Sequence, residues 1–261
     1  MRIRKKTLLI IIGLIILGLT AGGAYAVYKN QKYQKAEVPE AVDSDSLQSP
    51  ITTSNDTKTP TVEINASPEL SQLPSQLNLK MEFYSQAPFS DWSMPWQEAC
   101  EEASIILVVN QYGHHNWTRT EFNQQILDLV EWEKQRFGQY EHTNVEEMIA
   151  MLKEKFNLSV IEHQNPTLND IKQILSKGHF IIAPFAGKKL GNPNYKNGGP
   201  TYHVLVIKGY LENKIITNDV GTRLGADYVY TWEKINESLH DYATPIENGA
   251  KTIIEVLPSK L

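Results

Sequence analysis

One thiol stands out among the side chains of this chain that could do chemistry. Cys100 is the only cysteine in 261 residues, and it lies in the stretch PWQEACEEAS, just before a long apolar run. A thiol in the first turn of a helix feels the positive end of the helix dipole, which favours the thiolate. The neighbouring Glu98, Glu101 and Glu102 oppose ionisation, because like charges disfavour it. If these carboxylates are exposed, the two effects roughly cancel, so an activated thiolate requires an imidazolium partner.

Seven histidines are candidates for that partner, and His203 is the best placed. It begins a predicted strand in GGPTYHVLVIKGY, where the rim of a sheet can hold an imidazole toward a helix terminus. Asp219 follows sixteen residues later, at the end of the next predicted strand, and antiparallel pairing would bring its carboxylate to the imidazole. Each residue also has a structural interpretation: Cys100 as a small buried apolar side chain, His203 as a satisfied strand residue and Asp219 as part of a turn.

The elements that must position these residues predict an α+β domain over residues 77–261. The alternating stretch LKMEFYSQ (79–86) predicts a first strand, and helices follow at 97–112, 118–134, 143–156 and 167–178. Two of these helices open with a predicted capping box, Thr118/Glu121 and Thr143/Glu146. Then β-branched and aromatic runs predict five strands, in HFIIAPF, YHVLVIKGY, KIITND, DYVYT and KTIIEVL, with a short helix in TWEKINESLHDY. Helices followed by an antiparallel sheet define the α+β class.

Three stretches together resemble the C39-like cysteine peptidases of bacteria, which have a papain-like fold: YSQAPFSDWSMPWQEACEEASIILVVNQYG, YHVLVIKGY and ITNDVGT. The resemblance covers residues 79–256, nearly the whole predicted domain. It implies Cys100 as the nucleophile, His203 as the general base and Asp219 as the residue that orients the imidazole. Papain-like enzymes also use an amide in the third role, so Asn218 is the alternative to Asp219.

The resemblance also implies a glutamine upstream of the nucleophile that helps to form the oxyanion hole. Gln86 in YSQAP matches the motif better, whereas Gln97 in PWQEAC is nearer the helix terminus. Many relatives have glycine after the nucleophile, and this chain has Glu101 in that position.

The function implied is a thiol hydrolase that cleaves a peptide or amide bond, with a peptide or a cell-wall peptide as substrate. A non-catalytic binding module on the same fold, and an acyl or amide transferase using the same triad, are the alternatives. A single cysteine excludes a thiolate zinc cluster, and we predict no cofactor.

The N-terminus predicts a membrane location. MRIRKK is basic, and the next 22 residues, Thr7 to Tyr28, carry no charge, which is enough to cross a bilayer. We therefore predict a transmembrane signal anchor within residues 1–35, with the C-terminal domain outside the cell membrane. The alternative is a signal peptide cleaved after Ala26, which would release a secreted protein.

Composition and charge separate this segment from the rest. Residues 36–76 are rich in Pro, Ser and Thr and predict a disordered linker. Seven of the 25 basic residues and none of the 30 acidic ones fall within residues 1–35, which leaves a net charge of −12 on the remainder. Such a surface repels nucleic acid, so we predict no nucleic-acid partner.

Overall fold

The computed structural model describes residues 36–47 and 73–258. Within these residues, helices come mainly before strands, and the strands form one antiparallel sheet, so the predicted α+β class is confirmed. The helices are α1 (Cys100–Tyr112), α2 (Arg119–Phe137), α3 (Val145–Ala150), α4 (Leu168–Ser176), α5 (Gly187–Leu190) and α6 (Trp232–Ser238). The strands are β1 (Gln76–Asn78), β2 (Ser159–Gln164), β3 (Phe180–Ala186), β4 (Tyr202–Leu211), β5 (Lys214–Asn218), β6 (Tyr228–Thr231) and β7 (Thr252–Leu257).

The seven strands lie in the order β2-β7-β3-β4-β5-β6, and β1 also pairs with β4. β3 pairs with the first part of β4, residues 202–207, and β1 pairs with its last three residues. β5 pairs with β4 from Val206 onward and ends at Asn218. The chain therefore leaves β5 close to the beginning of β4, which is the end of the sheet where His203 lies.

Helix α1 lies across this sheet against β4. All of its residues except Gln111 are buried. The apolar run Ile105–Val109 covers every side of the helix, so no side is left to face solvent. The hydroxyl of Ser104 donates to the carbonyl of Val204 at 3.3 Å, which fixes the helix to the strand. The predicted buried helix is confirmed, although it begins at Cys100 and a 3₁₀ turn, Trp96–Glu98, replaces its first predicted residues.

Two local predictions are wrong for identifiable reasons. The stretch 79–86 is not a strand, because β1 ends at Asn78. Leu79, Met81 and Phe83 alternate because they pack in or against the core from an irregular segment. The capping box of α3 is Asn144/Glu147, one residue later than predicted. Thr143 is unavailable as a cap, because its hydroxyl donates to the buried carboxylate of Glu133 at 2.8 Å.

Strand β2 was not predicted from the sequence. It forms the edge of the sheet, and none of its residues is fully buried. Its sequence SVIEHQ therefore lacks the apolar run that marks the central strands. The other predicted helices and strands are present, including the Thr118/Glu121 capping box of α2.

The prediction of a disordered linker over residues 36–76 is wrong for the part near residues 39–47. Val42 pairs with Leu79 in a parallel bridge, and Pro39 accepts a hydrogen bond from the side chain of Asn78 at 3.1 Å. A 3₁₀ turn follows at Ser44–Leu47, with Ser44 buried. Disorder was predicted from composition, but an extended segment can satisfy its backbone groups on a sheet without large apolar side chains. Residues 48–72 lie outside the described residues.

The predicted membrane anchor, residues 1–35, also lies outside the described residues. Among the described helices, none combines the length and apolar character required to cross a bilayer.

Removal of the segment 37–47 should lower the stability of the domain. A chain that begins at residue 73 loses three hydrogen bonds, two between Val42 and its neighbours and one from Asn78 to Pro39. At ~0.5–1.5 kcal/mol each, their loss should lower the melting temperature by several degrees relative to a chain that begins at residue 37. Thermal unfolding followed by circular dichroism measures this difference.

Asp45→Ala is the matched control, because it keeps the three hydrogen bonds of the segment and removes an exposed ion pair with His114 at 3.2 Å and a long hydrogen bond from Ser44 at 3.5 Å. It should leave the melting temperature nearly unchanged. Equal melting temperatures for the chains that begin at residues 37 and 73 would contradict a stabilising role of the segment.

Candidate active site

Cys100 is the first residue of α1, where backbone N–H groups have no partner within the helix. Its side chain is only 6% exposed. Sγ donates a hydrogen bond to Oε2 of Glu101 at 2.9 Å and accepts one from the backbone N–H of Val204 at 3.4 Å. The thiol therefore lies between the start of α1 and the start of β4, immediately beside the residue that follows His203.

His203 and Asp219 are brought together as the strand order predicts. Nε2 of His203 lies 2.9 Å from Oδ1 of Asp219, and both side chains are almost completely buried. The partner of Nε2 is thus a carboxylate, and Nδ1 has no hydrogen-bond partner among the described residues. Among the described residues, Cys100 forms hydrogen bonds with Glu101 and Val204 and none with His203.

Asp219 accepts hydrogen bonds from five donors. Oδ1 accepts from His203 and from the backbone N–H of Gly221 at 3.1 Å, and Oδ2 accepts from Asn192, Tyr195 and Tyr230 at 2.9, 2.7 and 2.5 Å. Burial raises the pKa of Asp219, but His203 and the two tyrosine hydroxyls outweigh burial, and the pKa lies below its ordinary value. The carboxylate is therefore ionised and can stabilise an imidazolium.

Asn218, the alternative to Asp219, belongs to a different contact. It pairs with Val206 in the sheet, and its Oδ1 accepts a hydrogen bond from the backbone N–H of Asp227 at 3.2 Å. Its side chain has no hydrogen bond to His203 among the described residues. Neighbouring side chains at a strand end point in opposite directions, which is why only Asp219 reaches the imidazole.

Two glycines and the ring of Tyr195 also lie against His203. A Cβ on Gly221 would lie 2.8 Å from Cε1 of the ring, and a Cβ on Gly187 would lie 3.0 Å from Cβ of His203. The ring of Tyr195 packs edge-on against the imidazole, with centroids 5.4 Å apart. The orientation of His203 is therefore set by close contacts as well as by Asp219.

The two candidate oxyanion glutamines differ in their placement. Gln86 is buried, and its Nε2 donates to the carbonyls of Trp96 and Gln97 at 2.9 and 3.0 Å. Its backbone N–H donates to Val220, in the loop that follows Asp219. Gln97 is exposed, and its side chain donates to Glu98. Gln86 thus joins the turn before Cys100 to the loop after Asp219, whereas Gln97 turns away.

The carboxylates beside the cysteine differ from their predicted state. The prediction that the helix dipole and the carboxylates have cancelling effects on the thiol required the glutamates to be exposed. Glu101 and Glu102 are instead 1% and 0% exposed. Burial, and to a lesser extent the charge of Glu101, raises the pKa of Cys100 well above its usual value. The assumption fails because α1 is buried on nearly all sides, so that even its polar residues point into the protein.

A third buried carboxyl, Glu133 of α2, completes this group. Burial and the charges of Glu133 and Glu101 raise the pKa of Glu102 well above its ordinary range, and burial raises the pKa of Glu133 to about 8. Both oxygens of Glu102 lack a donor among the described residues, so at least one of these two carboxyls holds a proton. Sequence reasoning missed Glu133, which is 31 residues beyond Glu102 and looks like an ordinary surface residue of an amphipathic helix.

Asn192, Tyr195 and Tyr230 were also missed. They lie in the loop after α5 and in β6, and nothing in their local sequence links them to Asp219. A polar loop such as GNPNYKNGG predicts a turn, and a tyrosine in a strand predicts packing. Only the folded chain brings the three donors to one carboxylate.

A buried cysteine at a helix start and a buried pair of histidine and aspartate at the adjacent end of the sheet supply the types of side chain that thiol hydrolases use. The sequence matches the Peptidase_C39 like family over residues 78–244, more than half of the chain, and the chain belongs to that family. The resemblance recognised in the sequence is thus confirmed.

Solved structures include a similar one described as a C39-like peptidase from Bacillus anthracis. It has 13% sequence identity and a TM-score of 0.45, and the match covers 73% of this chain and 98% of that chain. No curated protein matches the sequence.

Substitution of Gly221 should disturb the imidazole without unfolding the protein. The Cβ of Gly221→Ala would lie 2.8 Å from Cε1 of His203, whose ring is hydrogen-bonded to Asp219 and packs against Tyr195. We expect iodoacetamide labelling of Cys100 to change at least severalfold near pH 7, with a stability loss of ~1–3 kcal/mol. Labelling is measured by intact mass, since the chain has one thiol.

Gly113→Ala is the matched control. Its Cβ would also overlap an imidazole, that of His115. This ring stacks on Trp117 but is exposed, so it can move into solvent. Labelling in the control should equal that of the wild type. The same labelling rate in Gly221→Ala would show that the close contact does not position His203.

Glu133→Gln should reduce the dependence of stability on pH. The pKa of Glu133 is raised in the folded state to about 8 from 4.5, so the folded protein keeps a proton that the unfolded chain releases. This contribution to stability is complete below about pH 4.5 and is lost as the pH rises toward 8. The wild type should melt at a lower temperature at pH 8 than at pH 5, and Glu133→Gln should show a smaller decrease.

Glu131→Gln, an exposed change on the same helix, is the control and should keep the wild-type decrease. An equal decrease in Glu133→Gln and the wild type would mean that Glu133 is ionised throughout this range.

Proposed function

We propose that this protein is an extracytoplasmic, membrane-anchored cysteine peptidase-like hydrolase that cleaves a peptide or amide bond through Cys100, His203 and Asp219. The observation that carries the proposal is the buried pair of His203 and Asp219 at the start of the strand whose next residue, Val204, contacts the thiol. Membership of the Peptidase_C39 like family supports the same chemistry. A papain-like architecture is the fold that we infer for the catalytic domain.

The proposed reaction begins with the thiol proton. Nδ1 of His203 takes this proton from Cys100, since Nε2 is occupied by Asp219, and the thiolate attacks the carbonyl carbon of the substrate. Asp219 stabilises the imidazolium that forms and keeps its ring oriented. The imidazolium then protonates the leaving amine, and water, activated by His203, hydrolyses the thioester.

The oxyanion of the tetrahedral intermediate needs donors near Cys100. The backbone N–H of Cys100 itself lies at the helix start, where the dipole favours negative charge. We propose Gln86 as the second donor, because its amide lies against the turn that leads into Cys100. For this role one of its N–H groups must leave a backbone carbonyl and turn to the substrate.

The location and the substrate are proposed from the N-terminal sequence, which lies outside the described residues. The basic and apolar N-terminus supports a single-pass anchor that holds the domain outside the membrane, or secretion if it is cleaved. A peptide or a cell-wall peptide is the substrate we propose for that location. The net negative charge of the domain supports the absence of a nucleic-acid partner.

The test is turnover of a peptide and muropeptide library, together with labelling by an electrophilic peptide probe. Cys100→Ala should abolish both, and His203→Ala should reduce both strongly. Asp219→Asn should reduce turnover by roughly 10–10⁴-fold, because the amide loses the charge and its NH₂ group replaces one of the two acceptor oxygens. Circular dichroism checks that the variant is folded.

Asn218→Ala is the control at the neighbouring position and should have a small effect, limited to stability. Loss of reactivity in Asn218→Ala with activity retained in Asp219→Asn would overturn the assignment of Asp219. Unchanged turnover in Cys100→Ala would overturn the proposed function itself.

A further inference from the structure

Glu101 contacts the thiol of Cys100 more closely than any other described side chain. The two residues are adjacent in α1, and the Sγ to Oε2 distance is 2.9 Å. Glu101 is 1% exposed, so water cannot screen the contact. A buried carboxyl at hydrogen-bond distance from the proposed nucleophile must affect the proton on sulfur.

Other titratable groups face Glu101 from several elements. The 3₁₀ turn contributes Glu98, and α2 contributes Glu133, both of which oppose a negative charge on Glu101. On β4, the buried hydroxyl of Tyr202 lies close enough to be affected by Glu101. Within α1 itself, Glu102 belongs to the same buried group. None of these groups is a cation, so the surroundings favour the neutral form of Glu101.

This environment gives Glu101 two distinct states near physiological pH. Burial raises the pKa of Glu101 to about 8, with a hydrogen bond from Cys100 acting against the rise. Below that pH the carboxyl is neutral, and its O–H can donate to sulfur. Above it the carboxylate can only accept, so it holds the S–H proton and places a negative charge beside the sulfur.

We propose that Glu101 is a proton gate on Cys100, which permits the thiolate to form while its carboxyl is neutral and holds the thiol protonated when its carboxylate is ionised. The proposal rests on the proposed function, in which Cys100 is the nucleophile. In the open state, the thiol proton moves to Nδ1 of His203, and the Glu101 O–H and the Val204 N–H stabilise the thiolate. In the closed state, the Glu101 proton has gone to solvent and the thiol proton stays between sulfur and carboxylate.

A gate of this kind makes the enzyme active on the acidic side of pH 8 and suppresses it on the alkaline side. The usual effect of rising pH on a cysteine, a growing thiolate fraction, is opposed here by a charge that appears on the neighbouring residue. Glu101 is thus a positioning and regulatory residue and does not need to contact the substrate.

The test compares iodoacetamide labelling of wild type and Glu101→Gln in the full chain from pH 6 to pH 9. Glutamine has the same shape, can donate to sulfur and cannot ionise. The ratio of the variant rate to the wild-type rate should be within about threefold of one at pH 6 and should rise to about tenfold or more at pH 9, because each pKa unit is a factor of ten. The single cysteine makes intact mass a direct readout.

Glu131→Gln is the control, since it removes an exposed carboxyl of α2 whose hydrogen bond comes from Gln135 and not from the thiol. The ratio of its labelling rate to the wild-type rate should stay nearly constant with pH. A constant ratio for Glu101→Gln would overturn the gate. If Glu101→Gln does not fold, Glu101→Met, of similar volume and likewise unable to ionise, replaces it. Methionine cannot donate to sulfur, so its ratio at pH 6 should be lower, and the test is whether the ratio rises about tenfold or more between pH 6 and pH 9.

Failure of the gate and failure of the proposed function are distinguishable. If the Glu101→Gln ratio is constant but His203→Ala lowers labelling at pH 6, the gate is wrong and the Cys100 and His203 pair stands. If the ratio rises with pH but His203→Ala leaves labelling unchanged and no peptide is cleaved, the carboxyl controls the thiol and the proposed hydrolase is wrong.

Discussion

A buried, ionised carboxylate is expensive unless donors surround it, and Asp219 is the place where this domain meets that requirement. Its two oxygens accept from a β4 imidazole, a backbone N–H of its own loop, the loop after α5 and a tyrosine of β6. These donors come from segments far apart in the sequence. Asp219 therefore joins one end of the sheet to the loops around it, and any rearrangement of those loops would leave a buried charge without partners.

The second constraint comes from α1, which is a buried helix that begins with a nucleophilic side chain. Burial favours the neutral thiol, so the helix dipole alone does not activate Cys100. Three glutamates, Glu101, Glu102 and Glu133, are buried nearby, and none of them forms an ion pair with a cation among the described residues. In the mechanism that we propose, the proton on sulfur depends on two residues: His203, which accepts it, and Glu101, which retains it when ionised. Packing of the helix thus decides the electrostatics of the site.

Much of the fold could be predicted from local patterns. The apolar run after Cys100 predicted a buried helix, and the β-branched runs predicted the central strands, because those elements bury most of their side chains. Edge strand β2 could not be predicted, since half-exposed residues carry little pattern. The stretch 79–86 was misassigned because alternation reports one buried face and not the presence of a pairing strand. The segment 37–47 was missed because backbone pairing requires no particular composition.

The sequence by itself determined that the chain has one thiol, that a histidine begins one predicted strand and an aspartate ends the next, and that these motifs resemble the family to which the chain belongs. Tertiary structure alone decided the rest of the site. Asn192, Tyr195 and Tyr230 reach Asp219 only because the sheet and its loops close around it, and Glu101, Glu102 and Glu133 are buried only because α1 is covered on every side. A side chain's charge state depends on the solvent it has lost, and that loss is a property of packing between distant segments, which no local pattern records.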